Sequence, residues 1–131
     1  INMEANILAN PENNEPEIGI QVSDHLFLGN VSKGSSTTYL VIQVNKTGSQ
    51  KMNVRPELVD PDNSIFQNLY FKESSGSPKK IGEFNMNITA SSKNLYVKLD
   101  LTDFNGNIDS DLIGEDADII LILALKNQKF L

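Results

Sequence analysis

FNMNITASSKNLYVKLDL, residues 84–101, decides the fold class. Phe84, Met86 and Ile88 alternate with Asn85, Asn87 and Thr89; beyond a polar turn at 90–94, Leu95, Val97, Leu99 and Leu101 alternate with Tyr96, Lys98 and Asp100. A period of two puts successive side chains on opposite faces of an extended strand, one dry and one wet. The same period returns along the chain, and no segment carries an apolar period of 3.6, so the reading is all-β.

Working outward, Ile18, Ile20 and Val22 alternate with Gly19 and Gln21, and HLFLG (25–29) continues after a bend at Ser23–Asp24. TTYLVIQVN (37–45) is apolar on both faces in its middle and reads as a central strand. Met52 and Val54 alternate with Asn53 and Arg55 before Pro56, a residue that belongs at a strand end or edge. SIFQNLYF (64–71) reads as a further strand rich in aromatics, and IILILAL (119–125) as a buried one, far short of the ~20 residues of a membrane-spanning helix. Turn chemistry falls at SKGSS (32–36), KTGSQ (46–50), DPDNS (60–64), SSGSPKK (74–80) and ASSKN (90–94). About eight short strands at this spacing predict one β-sandwich with jelly-roll or immunoglobulin-like connections. A chain of 131 residues, 39% hydrophobic, fits a single core.

Composition narrows function. A net charge of −6 with eleven scattered Lys and Arg gives no basic face for phosphates, which argues against nucleic acid as a partner. The chain has no cysteine and one histidine, His25, which is expected to be an ordinary rim residue. No nucleophile elbow and no His-Glu-x-x-His is present, so an enzyme is not expected and no catalytic residue is assigned. A start at Ile1 rather than Met reads as a mature product whose leader has been removed, and the expected location is extracellular, on the cell surface or in a filament. Three sequons, at Asn30, Asn45 and Asn87, are candidate glycosylation sites that fit such a location.

The first seventeen residues stand apart from the body, 18–131. They hold four Glu, no basic residue and two Pro, with the apolar side chains gathered at Ile1, Met3, Ala5, Ile7 and Leu8. Ile1, Met3, Ala5 and Ile7 alternate with Asn2, Glu4 and Asn6, which is one strand on a polar tether. Two readings stay open. The strand folds back as an edge of its own domain, or it is donated to the sheet of a neighbouring copy, a head-to-tail exchange that does not close and so makes a filament.

Between Lys98 and Lys126 lie seven acids and no positive charge, most of them within DFNGNIDSDLIGEDAD (103–118). Asp103, Asn105 and Asn107 match the first ligands of an EF-hand, but Ile108 and Gly114 stand where the loop needs Gly and Glu. A looser calcium site of Asp103, Asn105, Asn107, Asp109 and Asp111 competes with a solvated acidic loop. The loop reads as a connection of about fifteen residues, longer than compact domains usually need. Its negative charge also suits a basic surface on an adjacent copy, such as Lys72, Lys79 and Lys80.

Residues 25–59 carry Leu28, Gly29 and Val31, then Gly34, then Val41 to Asn45, Gly48, and Met52 to Val54. That order resembles camelysin and TasA-type matrix-fibre subunits and archaeal bundling-pilus, thread and cannula subunits. The resemblance implies a jelly-roll-like sandwich polymerising through an N-terminal donor strand, here residues 1–8, and the cannula type adds calcium-dependent assembly, here the acidic loop. The expectation is therefore an extracellular structural protein whose partner is itself. The alternative is a monomeric secreted adhesion or carbohydrate-binding module that uses a calcium loop to orient glycans.

Overall fold

The computed structural model describes residues 1–9, 25–45 and 51–125. Nine strands form among them: β1 Asn2–Leu8, β2 His25–Ser32, β3 Leu40–Asn45, β4 Met52–Leu58, β5 Leu69–Lys72, β6 Lys79–Lys80, β7 Met86–Ile88, β8 Ser92–Leu99 and β9 Leu112–Leu125. They make a five-stranded sheet in the order β2-β1-β9-β4-β7 and a four-stranded sheet in the order β3-β8-β5-β6. The chain is all-β, as the alternation requires. The segments 18–22 and 46–50, read above as a strand and a turn, lie outside the described residues.

The dry faces meet in one core. Leu95, Val97 and Leu99 of β8 and Phe71 of β5 are fully buried with Met3 and Ile7 of β1 and Ile119 of β9. Phe71 and Phe84 stack with ring centroids 5.8 Å apart, and no buried side-chain polar atom among the described residues lacks a hydrogen-bond partner. Such satisfaction is what allows a sandwich without disulfides to be stable on packing and pairing alone.

Several elements differ from the sequence reading, among them the turn read at 90–94, where β8 already begins at Ser92. β3, expected in the centre, pairs among the described residues only with β8 and so stands at an edge there, and Leu40, Val41 and Ile42 remain partly exposed. The stretch 64–71 is not one strand: a 3-10 turn at Phe66–Asn68, tied by Asn63 Oδ1 accepting from the Ile65 and Phe66 amides, precedes β5. IILILAL is buried only at the start of its inner face: Ile119 is at 0% exposure, Leu123 on the same face is at 56%, and Ile120 on the outer face is at 48%. The acidic stretch is not one connection, because β9 begins at Leu112 and leaves a loop of residues 100–111 only.

Pro56 sits inside β4 rather than at its end, for a reason visible in the ladder. The Val59 amide donates to the Asp118 carbonyl, so odd-numbered residues of β4 turn their main chain to β9 and Pro56 turns away from it. On that side β7 pairs only as far as Val54, and among the described residues the missing N–H of Pro56 has no ladder to break.

Candidate functional site: the strand slot between β2 and β9

Residues 1–8 enter this chain's own sheet, and not at an edge. β1 runs parallel to β2, with Asn2 opposite His25 and Leu8 opposite Ser32, and antiparallel to β9, with Asn2 opposite Asp118 and Ile7 opposite Leu112. Its inward side chains Met3, Ala5 and Ile7 are each at 0% exposure and Leu8 at 5%. At about 1.5–3 kcal/mol for each large apolar side chain buried, Met3, Ile7 and Leu8 together contribute roughly 5–9 kcal/mol. That equals much of the ~5–15 kcal/mol net stability of an ordinary domain. A body stripped of β1 is left with an open slot in the middle of a sheet, and the sandwich requires the strand from some source.

The outward side chains are held as specifically as the inward ones. The Asn2 amide nitrogen donates to Asp116 Oδ2 at 3.0 Å and Asp118 Oδ1 at 2.9 Å. Its oxygen is thereby turned to His25 Nδ1, 2.9 Å away, while His25 Nε2 lies 3.2 Å from Glu4 Oε1. Both ring nitrogens of His25 face acceptors on β1. Asn6 spans the slot, its Nδ2 donating to Asn30 Oδ1 on β2 at 2.9 Å and its Oδ1 accepting the Gly114 amide of β9 at 3.0 Å.

Register shifts flank the strand on both sides at this level, between Glu4 and Asn6 against β2 and between Ala5 and Ile7 against β9. Each flanking strand carries there a glycine of positive φ, Gly29 at 97° and Gly114 at 72°. A bulge needs that conformation at little steric cost, and the Asn6 amide takes up the Gly114 N–H that the bulge turns out of the ladder. Together these contacts fix one register, since a slip by one residue would place Asn2, Glu4 and Asn6 in the core.

At its start the strand is closed by Ile1, whose nitrogen donates to the Ile119 carbonyl at 2.7 Å and whose carbonyl accepts from the Ile119 amide at 2.8 Å. Past that pair, Leu121 and Leu123 turn their main chain to the same side, where no strand pairs with them among the described residues.

The parallel pairing also sets what the connection must span. From Leu8 back to the level of His25 is six residues of strand, about 20 Å at ~3.3 Å each. Residues 9–24 can reach roughly 50 Å at full extension. The tether is therefore long enough to serve either this chain's slot or another's.

Of the residues singled out in the sequence, Ile1, Met3, Ala5 and Ile7 are brought together as one strand face packed on the core, and Leu8, next to Ile7, is buried outside that cluster. The slot is not walled by the two apolar runs IILILAL and YLVIQV. β9 contributes mainly Leu112–Asp118, and β3 lies in the other sheet, so the second wall is β2.

In loop 100–111, Phe104 and Ile108 pack on the core, while Asp103, Asn105, Asn107, Asp109 and Asp111 are exposed. No group of three or more acids or histidines gathers at metal-holding distance among the described residues. Asp111 Oδ1 instead accepts the Ala9 amide at 2.9 Å and so fastens the far end of β1.

At the loop's start, burial raises the Asp100 pKa, but hydrogen bonds from the Thr102 hydroxyl and amide and the Lys98 ammonium outweigh it and hold the carboxyl below its ordinary value. Among the sequons, Asn30 is engaged by Asn6, Asn87 is exposed but its Oδ1 accepts from Asn53 Nδ2, and Asn45 is exposed.

The sequence reading missed Asn2, Glu4, Asn6 and His25 as the polar side of the slot. The available signal was an isolated glycine inside each flanking strand, in HLFLGN and LIGEDAD, which marks a bulge. Comparison of the chain with family models, curated proteins and solved structures finds no match.

Proposed function

We propose that this protein is an extracellular structural subunit that polymerises head to tail, each copy giving residues 1–8 to the slot between β2 and β9 of the next. The observation that carries the reading is that the first strand of the chain is an interior strand of its sheet, paired on both sides and read along its whole length. The strand makes the same contacts whether it comes from its own chain or from a neighbour. Exchange is then nearly neutral in contact energy, and local concentration sets the balance. An open exchange of this kind builds a filament, because the donor strand and the slot left by its departure belong to different ends of the repeat.

The test is electron microscopy of the full chain and of a chain lacking residues 1–8. Filaments from the full chain and none of the same diameter from the truncated one are expected. The truncated chain is expected to aggregate or unfold rather than remain a soluble domain, because it loses an interior strand. Filaments of normal diameter without residues 1–8 would refute the reading.

A second reading is a monomeric secreted adhesion or carbohydrate-binding module. It is favoured by the seating of β1 in its own sheet. It predicts a monomer at every concentration and no filaments.

A further inference from the structure

All three tyrosines of the chain lie on the outer face of the four-stranded sheet, interleaved with lysines. Tyr70 stands opposite Lys98 on one side and Lys80 on the other, and Lys72 stands opposite Tyr96. Tyr39, just before β3, receives two ammonium groups, with Lys72 Nζ 4.7 Å and Lys98 Nζ 4.8 Å from its ring centroid. Lys72 is also 5.7 Å from the Tyr96 ring.

Ring faces attract cations, but two cations over one ring repel each other. The carboxylate beside them, Asp100 at 3.7 Å from Lys98, is shared with Thr102, and Glu73 is taken by Lys93. On a chain of net charge −6, this face has an excess of positive charge. Its aromatic rings also offer contact area that loses little conformational entropy on binding.

The opposite surface is its complement. On the outer face of the five-stranded sheet, Glu4, Asp116 and Asp118 project beside Asn2, and among the described residues Asp116 and Asp118 have no cationic partner. The two faces look in opposite directions from the one sandwich, so a single copy cannot bring them together.

We propose that the tyrosine–lysine face of one copy docks on the Glu4–Asp116–Asp118 face of a second copy. The contact is heterologous and repeats, stacking sandwiches along the sheet normal. It is a separate contact from strand exchange, which joins copies within the plane of the larger sheet; Asp116 and Asp118 also accept the Asn2 amide in the slot, so the lysine variant is the one that reads the face alone.

The experiment is sedimentation velocity of the full chain and of two variants, at about 20 mM salt and again at about 0.5 M, where the Debye length falls to a few ångströms. One variant, Lys72→Glu with Lys80→Glu, loses the basic face, and the other, Asp116→Asn with Asp118→Asn, loses the acidic one. Circular dichroism checks that both fold, and should the second not fold, the first with the salt series decides.

The full chain is expected to associate more at low salt, although like net charge alone would make an acidic protein associate less there. Each variant alone is expected to associate at least about tenfold more weakly, and a mixture of the two to give a one-to-one pair, since each supplies the face the other lacks. Assembly by strand exchange is buried in the core and is expected to survive 0.5 M salt, so it is read separately.

Association unchanged in the Lys72→Glu, Lys80→Glu variant would overturn the proposal. So would association that rises with salt. Retention of the full chain on immobilised polygalacturonate, lost in the lysine variant, with no self-association at low salt would also overturn it and assign the face to an anionic polysaccharide.

Discussion

Residues 1–9 supplied as a free peptide offer the sharpest reading of the slot. A chain lacking those residues is unfolded in urea and diluted in the presence of the peptide INMEANILA, labelled for anisotropy, and the recovered complex is titrated with unlabelled variants. Ile7 is at 0% exposure. An Ile7→Ala peptide leaves a cavity there, a change that costs about 2–5 kcal/mol, or roughly thirty-fold to several-thousand-fold in affinity. Asn6→Ala removes two hydrogen bonds, to Asn30 and from Gly114. At ~0.5–1.5 kcal/mol each, their loss weakens binding about five-fold to about 150-fold, the lower end being expected because the site is half-buried.

Glu4→Gln alters only a half-exposed contact to His25 and is expected to change affinity by less than about five-fold. The order Ile7→Ala weakest, then Asn6→Ala, then Glu4→Gln near the parent follows from the register in the structure. Equal binding by all three peptides, or a Glu4→Gln effect larger than that of Ile7→Ala, would refute that register.

Further outcomes follow from particular residues. Gly114 has φ of 72°, and a Cβ there would lie 3.4 Å from Glu4 Oε2; Gly114→Ala is expected to lower stability by about 1–2 kcal/mol in urea titration with an unchanged m-value. Within one apolar run, Ile119→Ala is expected to cost about 2–5 kcal/mol and Leu123→Ser less than about 0.5, since the first is fully buried and the second is 56% exposed. Equal costs would show that the inner face of the run stays buried along its length. The Asp100 pKa is lowered on folding, so its contribution to stability is fully present above its unfolded value near pH 4 and is lost as pH falls through the lower folded value. Urea stability measured from pH 6 down to pH 2.5 is expected to decline less steeply below pH 4 in Asp100→Asn than in the parent, and identical slopes would contradict the assignment.

The period of two made the fold class legible, and the dry face of β8 and the buried set Met3, Ala5 and Ile7 fall where alternation places them. Partners were not legible. Val41 and Ile42 make β3 look central, yet an apolar run records only that both faces are covered in part, and among the described residues β3 is an edge. IILILAL misled in the same way: Ile120 is on the outer face, and Leu123, although on the inner face with Ile119, lies beyond the part of β9 that β1 pairs and is exposed.

The parallel pairing of β1 with β2 has no local signature, because the residues that choose it, Asn6 with Asn30 and Asn2 with His25, are ordinary polar residues until the bulges at Gly29 and Gly114 bring them together. The five alternating Asp and Asn of the acidic loop fitted a calcium loop by spacing. The anchoring of Phe104 and Ile108 in the core gives the loop a path that spacing does not reveal.

The chain has no cysteine of its own, so a pair introduced at Glu4 and Asp116 can report where the first strand goes. The two residues are opposite each other on the outer face of β1 and β9 at a position without main-chain hydrogen bonds, where Cβ atoms approach closely. The Glu4→Cys, Asp116→Cys protein is assembled, oxidised and run on a denaturing, non-reducing gel. Exchange of residues 1–8 between copies predicts a covalent ladder that collapses to one band on reduction. A single monomer band under oxidation, with full loss of free thiol, would show that each strand stays in its own sheet and would contradict the account.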